Sequence, residues 1–131
     1  MDLKKEYATN KKAEIEGVWK DFGNGCFIKI ARIGNPEYKK IFQKVTKAYQ
    51  ASARRGALSE DKANKLMIEV MSKAIILDWK EMYEGSQKIE HSQEECVRIL
   101  TEYPDLFEQI NEIANEMESF KLEQDEELEK N

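Results

Sequence analysis

The stretch GVWKDFGNGCFIKIARIGNPEYKKIF, residues 17–42, limits the fold of this chain more than any other. Val18, Trp19 and Phe22 have the β-branched or aromatic character that suits a pleated, half-buried strand. Gly23-Asn24-Gly25 supplies residues that tolerate positive φ, which a tight hairpin turn needs. The pattern predicts strands over 17–22 and 26–33. In the second strand Cys26, Ile28 and Ile30 share one face and Phe27, Lys29 and Ala31 the other. A two-stranded hairpin is barely stable in water, so one face must lie on helices that the rest of the chain provides. The outer strand keeps a row of unpaired backbone groups, which leaves room for a homo-oligomer or a partner strand at the hairpin edge.

The remainder reads as four helices. Asn35-Pro36-Glu37 is a helix start: Asn caps free N–H groups, Pro at the first helical position gives up no needed donor, and Glu suits the positive end. Tyr38, Ile41, Phe42, Val45, Ala48 and Tyr49 then recur at helical spacing, up to a stop near Arg54-Arg55-Gly56. Ser59 opens a second, more apolar helix carrying Ala63, Leu66, Met67, Val70, Met71, Ala74, Ile75 and Leu77, with Ile68 and Ile76 broadening its stripe. It is expected to reach about Met82, followed by a loop at Gly85–Lys88. Ser92-x-x-Glu95 is a capping box for a short helix with Cys96, Val97, Ile99 and Leu100 inward. Tyr103-Pro104-Asp105 ends it and starts another, which carries Leu106, Phe107, Ile110, Ile113, Ala114, Met117 and Phe120. The expectation is an α+β fold, mostly α, with an N-terminal β-hairpin packed on a bundle of about four helices. Residues 1–16 are expected to be a loose or partly helical lead-in, 17–121 a single domain, and 122–131 an acidic, disordered tail.

The net charge of −5 hides an asymmetry. Residues 1–65 hold 15 Lys+Arg against 8 Asp+Glu, and residues 66–131 hold 6 against 18. The basic front raises nucleic acid as a partner, but the acidic back would repel phosphates. Cys26 and Cys96 stand far apart with no CxxC spacing, the opening MDLKKEYATNKK lacks the apolar core of a signal peptide, and no stretch approaches the ~18 apolar residues of a membrane span. The chain therefore reads as cytosolic, with reduced thiols, no membrane association and no nucleic-acid partner.

Nothing in the sequence assembles a catalytic set. His91 is the sole histidine, so there is no histidine pair for a metal, and no serine or cysteine sits in a triad-like motif. Phosphate-cradling glycine motifs are absent, and Gly23-x-Gly25 lies between two strands, where a turn accounts for it. The expectation is no enzyme, no cofactor and no metal. The side chains with most to offer another protein are the large apolar ones. Trp19, Phe27, Tyr49, Met67, Met71 and Trp79 are the candidate partner-binding residues, weighed against a plain core role for the methionines and both tryptophans.

The order of local motifs resembles the tail assembly chaperones of long-tailed bacteriophages. It runs from Trp19 through the Gly23–Gly25 turn, Ile30-Ala31-Arg32 and Asn35-Pro36-x-Tyr38 to Ile75-Ile76-Leu77-Asp78-Trp79, Ser92 and Tyr103-Pro104-Asp105-Leu106. It covers roughly residues 17 to 120, and order and spacing carry it rather than any single motif. The resemblance implies a non-enzymatic protein that binds the tape measure protein, keeps it soluble and helps recruit major tail (tube) protein subunits. It implies action in the cytoplasm of the bacterial host and absence from the mature virion. Two other classes stay open on the sequence: a structural head–tail or tail-completion protein, and a small nucleic-acid-binding regulator using the basic front half.

Overall fold

The computed structural model describes residues 1–53 and 59–122. Among these, the elements run α1 (Leu3–Tyr7), α2 (Lys11–Glu16), β1 (Val18–Gly23), β2 (Cys26–Ile30), α3 (Pro36–Ala53), α4 (Glu60–Ala74), β3 (Ile76–Lys80), β4 (Tyr83–Glu84), β5 (Gln87–Lys88), α5 (Gln93–Glu102) and α6 (Pro104–Asn115), with a 3-10 turn at Met117–Phe120. The fold is mixed and mostly helical, with a small antiparallel sheet near the N-terminus. The stop expected at Arg54-Arg55-Gly56 and the acidic tail beyond Leu122 lie outside the described residues.

The hairpin forms where the turn chemistry places it. Asn24 and Gly25 take φ of 55° and 79° between the two strands, the positive values a two-residue turn requires. Ile28 and Ile30 point inward and Phe27 outward. The sheet does not end there. Its order is β1-β2-β3, with β3 antiparallel to β2 so that Ile28 faces Trp79 and Lys29 faces Asp78. The helix expected to reach Met82 instead stops at Ala74, and Ile75 turns the chain into β3. The run Ile75-Ile76-Leu77 satisfies either periodicity over so short a span, and no Gly or Pro marks the break. Pairing with the exposed side of β2 decides it. Gly85–Lys88, expected as a loop, instead joins Tyr83–Glu84 in the small β4–β5 hairpin.

The main core lies between the sheet and α4, α5 and α6. Ile28 and Ile30 of β2 and Ile76 and Trp79 of β3 meet Met71, Ala74, Cys96, Ile99, Leu100, Ile110 and Ala114. Burying a large apolar side chain contributes roughly 1.5–3 kcal/mol, so this cluster dominates stability. A second cluster, Val45, Leu66 and Val70, joins α3 to α4. The expected caps hold. Asn35 Oδ1 accepts from the Glu37 and Tyr38 N–H groups at 2.8 and 3.1 Å, and Ser59 and Ser92 cap α4 and α5. The last helix is shorter than its periodicity implied: α6 stops at Asn115, Glu116 is extended, and the 3-10 turn buries Phe120.

Residues 1–16 form two short helices, the second tied firmly to the body. Glu14 is buried, and its carboxylate accepts from Thr9 Oγ1 at 2.8 Å and Arg32 NH1 at 2.7 Å. Its backbone carbonyl accepts from the Arg32 N–H and from Asn35 Nδ2. Asn35 thus ties α2 to the start of α3 while capping α3. At the α2–β1 junction Gly17 has φ +89°, and a Cβ there would lie 3.0 Å from both Leu77 Cδ1 and Lys29 Cγ. Only glycine allows the chain to pass so close to the sheet.

Candidate functional site

Two hollows run side by side along α4. The first, about 540 Å³, lies between α3, α4 and α5 and is lined by Tyr49, Ile68, Val97 and Thr101 among others. The second, about 590 Å³, continues between α4 and the α5–α6 corner, with Met67, Leu100 and Phe107 in its wall. Lys65, Ile68 and Thr101 line both, so the two form one apolar trough. Helical periodicity sets its walls. Leu66 and Val70 turn into the α3–α4 cluster and Met71 into the main core, which leaves Ile68 on the flank, half-buried. On α5, Cys96, Ile99 and Leu100 point inward, and Val97 stands on the trough wall, 38% exposed. This corrects the inward placement expected for Val97.

Around this apolar wall the trough is rimmed by polar and charged side chains, among them Asp61, Lys65, Glu69, Lys73, Glu94 and Glu108. Burial, followed by the charge of Glu69 and a hydrogen bond with it, holds the Tyr49 phenol above its ordinary pKa. Lys73 pairs with Glu69 at 3.0 Å, so the rim there is locally neutral. Ser72 lies buried in the trough wall with no hydrogen-bond partner of good geometry among the described residues. The Cys96 thiol beside it is a weak substitute. Burial pushes that thiol up to about 11, partly offset by its contact with Ser72. Burial, with the charges of Asp21 and Glu81, also raises Cys26. Both cysteines are therefore poor nucleophiles at neutral pH.

The six candidate partner residues fall in three places. Tyr49 and Met67 line the trough. Met71 and Trp79 are core residues, 0% and 7% exposed, so neither presents a surface to a partner. The Trp79 indole N–H donates to the Ile89 carbonyl at 2.8 Å, and its ring meets His91 edge-on. His91 Nε2 lies 3.3 Å from the Ile76 carbonyl, a bracing role for the sole histidine. Trp19 and Phe27 lie on the outer face of the sheet. There Lys80 Nζ sits 4.2 Å from the Trp19 ring centroid and Lys29 Nζ 5.8 Å away. Asp21 and Asp78 occupy the same face and balance those lysines, which leaves no net basic patch for phosphates.

Sequence reasoning missed Ile68, Val97 and Phe107 as trough residues. The available signal was the width of the α4 stripe. An apolar stripe that Ile68 broadens beyond one face has more surface than one core contact consumes. Among the described residues no group of three or more His, Cys, Asp or Glu could hold a metal, and no helix is long and apolar enough to cross a membrane.

Residues 33–131 match the family of the YdaY prophage protein. The chain belongs to that family. It is therefore a phage or prophage protein. Every trough residue lies inside the matched segment, whereas Trp19 and Phe27 precede it. No curated protein and no solved structure matches the chain.

Proposed function

We propose that this prophage protein is a tail assembly chaperone. It binds the tape measure protein in its α4 trough, keeps it soluble, and helps bring major tail protein subunits to it. The observation that carries this reading is the trough itself. It is a long, open channel with an apolar wall of Met67, Ile68, Val97 and Phe107 and a charged rim, on helices of a prophage-family segment. Such a channel suits the apolar face of an amphipathic helix, read out at helical spacing, better than a small polar ligand. Flexible Met67 in the wall tolerates side chains of differing shape, as a client with many similar helices demands. The charged outer surface keeps a loaded complex soluble. The motif order from Trp19 to Leu106 supports the same reading by resemblance. In this account the protein works in the host cytoplasm and leaves before the particle is finished.

Co-expression with the tape measure protein of the same prophage tests the proposal. The tape measure protein should move to the soluble fraction and co-purify. An insoluble, unbound tape measure protein, together with stoichiometric amounts of this chain in purified particles, would replace the chaperone with a structural tail component.

A further inference from the structure

Asp105, Glu108 and Glu112 follow one another at helical spacing along α6, and Glu116 just past its end continues the line, all exposed. Among the described residues none of the four makes an ion pair, unlike Glu69, Glu84 and Glu95, each of which has a Lys or Arg partner. The stripe is continuous with the trough, because Glu108 and Asn111 line both the α4–α6 hollow and the acidic groove beside it. The channel has an apolar wall, Glu108 edges it on the α6 side with the other three carboxylates in the groove alongside, and of its lysines Lys73 is paired with Glu69 while Lys65 stands on the α4 side; shape and charge together fit one class of occupant.

We infer that the trough takes a basic amphipathic helix from another protein. The apolar face of that helix lies against Ile68, Val97 and Phe107, and lysines or arginines on its flank face the α6 stripe. This rests on the trough as the binding site, as the chaperone reading does, and adds the sign of the client's charge. Surface carboxylates of this kind contribute chiefly to selectivity and association rate, so the inference concerns discrimination between clients.

The test uses the full chain and synthetic fluorescent peptides of roughly 18 residues, about five helical turns. One carries a leucine face flanked by lysines. A second has glutamates in place of the lysines, and a third is the lysine peptide scrambled to abolish its apolar face. At low ionic strength the lysine peptide should bind at least about tenfold more tightly than either control. Glu108→Lys/Glu112→Lys should remove that preference, and Glu6→Lys/Glu90→Lys, with the same change in net charge away from the trough, should leave it within about twofold. Glu108→Gln/Glu112→Gln gives the same answer should the double lysine variant melt abnormally. Equal binding of the lysine and glutamate peptides would overturn the inference. So would equal losses in the two double lysine variants, which would reduce the effect to bulk charge. Sedimentation showing the trough already filled by a second copy would also overturn it. The two proposals separate cleanly. Charge-selective peptide binding without capture of the tape measure protein keeps this inference and removes the chaperone. Capture that is indifferent to Glu108→Lys/Glu112→Lys does the reverse.

Discussion

Glu14 shows how a residue without an obvious pattern can hold an element in place. Its burial alone would raise the carboxyl pKa, but hydrogen bonds from Arg32 and Thr9 and the charges of Lys11 and Arg32 outweigh that and hold it below the ordinary glutamate value. A carboxylate depressed on folding contributes stability that is fully present above the ordinary glutamate range and lost as pH falls through the lowered value. Glu14→Gln should therefore cost about 1–3 kcal/mol at neutral pH, and the gap between variant and wild type should close in acid. Thermal melts across the acid range check this, and a gap independent of pH would refute the ion-pair account. Trp79 behaves differently. Trp79→Ala should cost about 3–5 kcal/mol because it empties a core site and strips the Ile89 carbonyl of its donor. Any loss of binding in that variant would report unfolding, which makes Ile68 and Val97 the informative probes of the trough. None of Glu14's role was legible in the sequence, because the spacing from Glu14 to Arg32 and Asn35 is set by the hairpin between them and by no local period.

Elements with local signals were legible, and those decided by long-range pairing were not. The Asn24-Gly25 turn, the Asn35-Pro36 start, the Ser59 and Ser92 caps and the Pro104 restart all appear where side-chain chemistry places them. β3 was invisible because its identity depends on β2, some 50 positions earlier in the register that pairs Ile28 with Trp79. Its arrival also changes the meaning of the hairpin edge. β2 becomes central, and β1 and β3 are the two edge strands, neither with a strand on its outer side among the described residues. β1 carries Lys20 on its helix-facing side, opposite Ile28, and an irregularity between Asp21 and Gly23. An inward-pointing charge and a bulge are devices that discourage edge-to-edge pairing. Lys20→Val should therefore increase self-association, seen as a shift in sedimentation velocity at high protein concentration. A variant that sediments like the wild type would show that Lys20 does not guard the edge.

At the scale of the whole molecule, the division of labour is between a sheet-backed core and an outer helical trough. The core consumes Met71, Trp79, Ile99 and Ile110, and the trough uses the flanks those helices leave over. Half of the candidate site was readable as apolar residues at helical spacing. The other half required knowing which faces the core had already taken, which depends on the packing of α4 against α3 and α5 and on the early end of α4. The asymmetric charge has the same dual character. The sequence reveals an acidic back half, but only the fold shows that Glu108 edges the trough and that Asp105, Glu112 and Glu116 line the groove beside it. The central claim is that this trough shields a tape measure helix from aggregation. Light scattering of the purified tape measure protein diluted from denaturant, with wild-type chain and with Ile68→Glu/Val97→Glu, tests it most directly. Wild type should suppress scattering at about equimolar ratio, and the double variant, its fold checked by a thermal melt because Ile68 packs partly on the core, should not. Suppression that is equal for the two proteins, or absent for both, would contradict the account.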